Sequence, residues 1–285
     1  MSRQATKLSP VTLADIRAAL SRIGPDIIRT PLVPSDAGSH RAGIPVYLKL
    51  ENLQRTGAFK VRGALSKVTS LAPQEREHGL ICASSGNHGL GVAYASLRVG
   101  TRCIVVLPEN ANPHKVALLK DLGAEIVHHG ITSDVRQMKV DELSERHGYT
   151  QVHPFADPAL IAGQGTVGLE ILEDLPDVDE VYVPIGGGGL ISGISTAIKA
   201  LRPEARVYGV EPEHSNAMSE ALRHGGPIAL DRVQTVADGL AAKITEPINF
   251  SIVSSLVDGI ILVSDRQIMD ATIFILEYEK VMVEN

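Results

Sequence analysis

In ENLQRTGAFKVRG, Glu51 to Gly63, a single amine stands where it could do covalent chemistry. Lys60 follows a glycine-containing turn and opens a helical pattern, and the apolar strand Val46 to Leu50 precedes it. A cation at a helix N-terminus meets the positive end of the helix dipole, which lowers its pKa and frees the amine as a nucleophile. A lone lysine is most often a solvated surface residue, so its companions decide.

Two other stretches supply them. Gly186, Gly187, Gly188 and Gly189 lie between the apolar strand VYVPI and a helix starting near Leu190. Unobstructed backbone amides and a helix N-terminus then converge as a phosphate cradle. The stretch is neither the GxGxxG dinucleotide fingerprint nor a P-loop, because the spacing and the Gly-Lys-Ser/Thr ending are absent. Four consecutive glycines also lose backbone entropy that an ordinary turn retains. Ser84, Ser85, Gly86, Asn87, His88 and Gly89 occupy a second strand-to-helix junction, after LICA. With hydroxyl and amide side chains it suits a carboxylate, although a serine or asparagine there could equally cap the helix. His88 reads as structural. A reactive amine, a phosphate cradle and a carboxylate nest are together what a cofactor bearing a phosphate and an aldehyde needs to act on an amino acid. Pyridoxal 5'-phosphate is the economical answer, with Lys60 holding its aldehyde.

The elements that must position these stretches follow from periodicity. Leu13, Ile16, Leu20 and Ile23 recur at three and four, and Gly24-Pro25 stops that helix. After the helix from Lys60 to about Leu71, strands and helices alternate: LICAS, NHGLGVAYASLRV, TRCIVVLP, NPHKVALLKDLG, AEIVHH and a polar helix through Ser144. Alternation of this kind predicts a parallel sheet. YTQVHPFADP, Tyr149 to Pro158, reads as an irregular crossing, after which a helix from Ala159 to Leu175 begins a second α/β set: VDEVYVPI, GGGGLISGISTAIKAL and ARVYGVEP. His224 to Glu246 is less regular, and the strand GIILV precedes a helix from Asp265 to Lys280. The expected architecture is α/β, two doubly wound parallel-sheet domains flanking a cleft at the carboxyl ends of the strands. The large domain is expected to comprise residues 1–76 and 151–285, the small one 77–150.

Composition narrows the partners. The 285 residues are 44% hydrophobic and 21% charged, the make-up of an ordered soluble protein. With 27 basic against 33 acidic residues and a formal charge of -6, no Lys/Arg run could track a phosphate backbone, which argues against nucleic acid. Cys82 and Cys103 sit in apolar runs as free thiols, as expected of a reducing cytoplasm. The N-terminal stretch has no apolar signal core, and no run of about eighteen apolar residues could span a membrane.

ENLQRTGAFKVRGA, SSGNHG, HPF-DP-IAGQGT, VPIGGGGLISG, GVEP and ADGLA succeed one another as in the fold-type II pyridoxal-phosphate enzymes, which are tryptophan synthase β-like in fold. The chain most resembles their threonine dehydratase and serine racemase branch, from about Ile16 onward; the cysteine synthase branch usually shows SGNTG. The resemblance implies that Lys60 anchors the cofactor and acts as a base on one face. It further implies that Phe59 lies near the pyridine ring, Asn87 bonds the 3'-oxygen, Gly186 to Gly189 hold the phosphate and Gly239 of ADGLA lines the pocket. Ser84, Ser85, Gly86, Asn87 and His88 would receive the substrate carboxylate, with Ser85 as acid or base on the opposite face. The implied activity is a threonine/serine ammonia-lyase, made by α-proton abstraction and β-elimination. A serine racemase shares everything but the last step, and Phe155, where the racemase pattern more often has asparagine, favours the lyase. A cofactor-binding homologue kept for an interaction is the reading of another class. The resemblance also implies a homodimer or homotetramer, and a cation at Glu211 of GVEP, although the acidic residue expected soon after is missing from Glu213 to Met218.

In the family pattern, the stretch matching Val281 to Glu284 continues into a small-residue turn, a helix and a last strand. That part carries the serine, threonine or cysteine bonded to the pyridine nitrogen. This sequence ends at Asn285, so the expectation is a complete site only in a longer product, with a short, catabolic-type architecture and no isoleucine feedback.

Overall fold

The computed structural model describes residues 11–84 and 86–285. Thr12 caps α1 (Leu13–Ile23) in a reciprocal capping box with Asp15, and Ile16, Ala19 and Ile23 are its buried stripe. The chain then forms β1 (Leu32–Pro34), α2 (Asp36–Ala42) and β2 (Tyr47–Lys49), and the two strands pair antiparallel as a separate ribbon. The apolar strand before Lys60 thus belongs to neither parallel sheet. A turn follows, and α3 (Lys60–Ser70) begins at Lys60 itself.

Next come β3 (Leu80–Ala83), α4 (Asn87–Val99), β4 (Cys103–Leu107), α5 (Pro113–Asp121), β5 (Glu125–His128), α6 (Ser133–His147) and β6 (Thr150–Gln151). The four strands make an all-parallel sheet in the order β5-β4-β3-β6. Every residue of β4 is buried, as expected for a central parallel strand covered on both faces. The crossing at Tyr149 to Pro158 is less irregular than its sequence suggests. Thr150 and Gln151 pair with Leu80 and Ile81, a two-residue strand too short to leave a periodicity.

The second α/β set runs α7 (Pro158–Asp174), β7 (Glu180–Pro184), α8 (Gly189–Leu201), β8 (Arg206–Pro212), α9 (Ala217–His224), α10 (Pro247–Leu256), β9 (Gly259–Val263) and α11 (Asp265–Phe274). Its three strands are parallel, in the order β7-β8-β9. The helix expected to reach Lys280 is regular only to Phe274; Ile275–Glu279 continue it as a π-helical turn and Lys280 ends it at φ 58°. No helix among the described residues is long and apolar enough to cross a membrane. Cys82 and Cys103 are buried free thiols.

Between these layers lies a buried charge cluster. Arg62, fully buried on α3, donates to Glu51 at 2.8 Å from both Nε and Nη2, and to Glu170 at 2.6 Å from Nη1 and 2.9 Å from Nη2. Lys49 donates to Glu170 and to the Thr30 carbonyl, each at 2.6 Å. Burial opposes the charge on Arg62, but the hydrogen bonds and charges of Glu51 and Glu170 outweigh it and hold its pKa above the ordinary arginine value. Two cations and two carboxylates leave the cluster neutral. Glu170→Gln removes one of those charges from a dry site, so it is expected to destabilise the fold by about 3–5 kcal/mol. Arg102→Gln, at an exposed pair with Glu125, is expected to lose less than about 1 kcal/mol. Urea unfolding of both variants checks the contrast.

Candidate functional site

Lys60 opens α3, and its Nζ donates to the carbonyl of Pro154 at 3.0 Å and stands 5.3 Å from the centroid of the Phe59 ring. The side chain keeps part of its exposure, yet protein closes around the amine. Desolvation lowers the pKa from 10.5 to about 8. The depression expected from the helix N-terminus is present, but burial is its cause.

From Pro154 the chain continues into Phe155, which packs on the tetraglycine turn. A Cβ at Gly187 would overlap the Phe155 ring, and one at Gly189 would stand 3.0 Å from the Phe155 carbonyl. Gly188 adopts φ 86°, a conformation side chains disfavour, and packs beside Met218 and Asn249. Asn249, fully buried, donates to the Phe155 carbonyl at 3.1 Å and so fixes the ring against the turn. A Cβ at Gly186 would meet the Gly239 carbonyl at 3.3 Å, which brings the ADGLA stretch to the same turn; Gly239 itself faces open space.

The four glycine amides donate to no acceptor among the described residues, and Gly188 caps α8 without a side-chain bond. The first-turn amides of a helix are left over by its geometry. A phosphate fits such a set, because it accepts several amides at the positive end of a 13-residue helix.

The second junction faces Lys60. Ser84 Oγ accepts the Gly86 amide at 3.3 Å, and Gly86 caps α4 without a side-chain bond. Asn87 donates to the Glu284 carboxylate at 2.6 Å. His88 is buried with Nε2 at 2.9 Å from the Val152 carbonyl, so this nitrogen carries the proton. Desolvation first, then the charge of Lys60, lower its pKa to about 3. It is therefore uncharged, as befits the structural role read from sequence. His153, whose Nδ1 accepts the amides of Phe155 and Ala156, falls to about 4 for the same leading reason. Ser85, expected to act on the opposite face, lies outside the described residues.

Contacts thus run in a chain: Lys60 to Pro154, its neighbour Phe155 to the tetraglycine turn, on to Gly239 and its neighbour Asp238, across to Lys115, and from Lys115 to the space beside Gly86. Sequence reasoning found the amine and the two turns but missed Asn249, Lys115 and the Pro154 carbonyl. Each had a faint signal: an amide inside the apolar helix PINFSIVSSL, a cation in a helix's first turn, and the break at HPFADP.

Glu211 gives a different picture from the one expected. It is fully buried at the end of β8, and its two oxygens accept the amides of Met218 and Ser219, each at 2.9 Å. Burial raises its pKa while these bonds work the other way. The carboxylate is occupied in fixing α9, and the described residues contain no group of three or more His, Cys, Asp or Glu that could hold a metal.

The profile of pyridoxal-phosphate dependent enzymes matches residues 23–285. The chain is 43% identical over 274 residues to the L-threonine ammonia-lyase of Thermotoga maritima, an alignment covering 96% of this chain and 68% of that one. Maize serine racemase superposes with a TM-score of 0.94 at 36% identity, over 97% of this chain and 84% of that one. Serine racemase from Dictyostelium discoideum does so with 0.91 at 36% identity, over 97% and 89%, and a T.th. threonine deaminase with 0.90 at 41% identity, over 96% and 89%.

The Lys60 shift makes a stability prediction. Below a pH of about 8 the folded chain buries a charged amine and bears the full penalty. Between that pH and 10.5 the unfolded state holds the extra proton, so stability rises with pH and the penalty fades. Lys60→Met is therefore expected to stabilise the cofactor-free protein at neutral pH by on the order of 2 kcal/mol. That advantage should shrink as the pH approaches 10.5. Urea unfolding of both proteins at neutral and alkaline pH measures it, and a pH-independent gap would mean that burial does not set the shift.

Proposed function

We propose that this chain, which belongs to the pyridoxal-phosphate dependent enzyme family, is a threonine/serine ammonia-lyase that converts L-threonine or L-serine to a 2-oxo acid and ammonia. The observation that carries the reading is its 43% identity, over 96% of its length, to an L-threonine ammonia-lyase. The cleft supports it with an amine made nucleophilic by burial, facing two sets of anion-binding amides.

Pyridoxal 5'-phosphate, when bound, supplies an electron sink for the pair left by a departing α-proton. Lys60 would hold its aldehyde, and the same amine, when free, would be the base for the α-proton. A pKa of about 8 leaves roughly a tenth of the amine unprotonated at pH 7, far more than a lysine of ordinary pKa supplies. The amides of Gly186, Gly187, Gly188 and Gly189 would hold the phosphate, with Phe59 beside the ring, Asn87 toward its 3'-oxygen and Gly239 lining the pocket. Ser84, Ser85, Gly86, Asn87 and His88 receive the substrate carboxylate. In the balanced reaction the α-C–H and β-C–O bonds break, the hydroxyl leaves as water, and water enters as ammonia is released. Phe155, apolar and fixed by Asn249, lines the cleft beside the phosphate turn and excludes water.

The likeness to maize serine racemase favours a second outcome at the same site, return of the α-proton from the opposite face by Ser85. A cytoplasmic homodimer or homotetramer, with residues 1–76 and 151–285 as the large unit and 77–150 as the small one, completes the proposal.

The test combines the purified protein with pyridoxal phosphate and L-threonine or L-serine, follows the 2-oxo acid, and resolves the remaining amino acid by chiral analysis. Both substrates are expected to yield 2-oxo acid, and Lys60→Ala to lose about 10³-fold or more, since anchor and base vanish together. D-serine in excess of 2-oxo acid would replace the lyase reading with the racemase. Bound cofactor with neither product would leave a non-catalytic homologue.

A further inference from the structure

Lys115 stands in the first turn of α5, where the helix dipole favours an anion and disfavours a cation. Its ion pair among the described residues is with Asp238 at 3.6 Å, and the Asp238 side chain is 79% exposed. An exposed pair at that separation contributes little. Neither its own helix nor Asp238 therefore accounts for the placement of this ammonium.

Its other neighbour does. A Cβ at Gly86 would lie 3.8 Å from Lys115 Nζ, so the charge overlooks the start of α4. That 13-residue helix begins without a side-chain cap, and the chain's own Glu284 carboxylate already takes a hydrogen bond from Asn87 there at 2.6 Å. A carboxylate thus already stands beside the Asn87 side chain. Desolvation keeps the two imidazoles near Lys60 uncharged, so they supply no countercharge. Lys115 is the cation that the described contacts bring to this turn.

We infer that Lys115 is a substrate-binding residue, which leaves Asp238 and pairs with the α-carboxylate of the bound amino acid at the start of α4. The inference rests on the ammonia-lyase reading. It makes the exposed Asp238 a competitor for the same ammonium, so the two side chains act on substrate affinity with opposite sign.

Steady-state kinetics of the holoenzyme with L-threonine test it. Lys115→Met is expected to raise KM about tenfold or more, the weight of one charge-assisted hydrogen bond, with kcat within about threefold of wild type. Lys115→Arg should recover part of that loss, and Asp238→Asn should lower KM. Inhibition by acetate, a carboxylate without an amine, should weaken in Lys115→Met by a similar factor. An unchanged KM, or a loss confined to kcat, overturns the inference. A merely structural role would leave Lys115→Arg no better than Lys115→Met and acetate inhibition unmoved. If wild type forms no 2-oxo acid, the ammonia-lyase reading fails instead. Acetate binding to wild type and Lys115→Met, followed by calorimetry, then still decides whether Lys115 holds a carboxylate: equal affinities overturn it.

Discussion

The buried guanidinium of Arg62 is the constraint on which the rest depends. It sits two residues beyond Lys60 on the same helix, and its donors reach Glu51, Glu170, Thr166 and the Ile28 carbonyl. An arginine with no access to water holds its charge only if every donor is matched by well-placed acceptors. Those acceptors come from the segment before β1, the turn before α3, and α7. α3 can therefore rotate or slide only by stranding charge in a dry interior. The first residue of that helix, and the amine it carries, inherit the restriction.

Close packing of small residues supplies the second constraint. A Cβ at Gly63 would run into Gln164 and Leu160, one at Gly163 would press on the Arg62 carbonyl and Ser66, and one at Gly193 would meet the backbone of Gly165. Helices α3 and α7, and α7 and α8, thus approach backbone to backbone, which brings Arg62 within reach of Glu170. The GQG of the IAGQGT stretch is a packing surface. In the tetraglycine turn one residue type meets two demands: room for the Phe155 ring on one side, and free amides on the other.

What was legible in the sequence was local. A strand, a turn of glycine or small polar residues and a helix are written within about fifteen residues, and each such unit stands where its pattern put it, at Ala83 to Asn87 and at Pro184 to Gly189. Sequence separation hid the rest. Arg62 finds Glu170 across 108 positions, Lys60 finds the Pro154 carbonyl across 94, and Asn249 finds Phe155 across 94. No periodicity records such pairings. The same limit misassigned the Lys60 shift: the dipole of its own helix is a local quantity, whereas desolvation is set by residues from elsewhere in the chain. Glu211 shows the converse, for a strand-end glutamate that a family pattern offers to a cation is instead taken up by two amides of the next helix.

The charges of the cleft follow one economy. Burial disfavours the charged form of its bases: His88 and His153 stay neutral, and the Lys60 pKa is drawn down to about 8. Uncapped helix starts at Gly86 and Gly188 leave amides free beside Lys60, and on the proposed reading these dipoles receive the phosphate and share the carboxylate with Lys115. Dipolar amides bind an anion without the further pKa depression that a full cation would impose on the nearby amine, and without offering a second nucleophile to an aldehyde. A lysine placed where Gly187 stands would do both. On the proposed reading, confining the reactive amine to Lys60 and leaving Lys115 as a partly exposed cation combines anion binding with a single basic group at the reacting carbon.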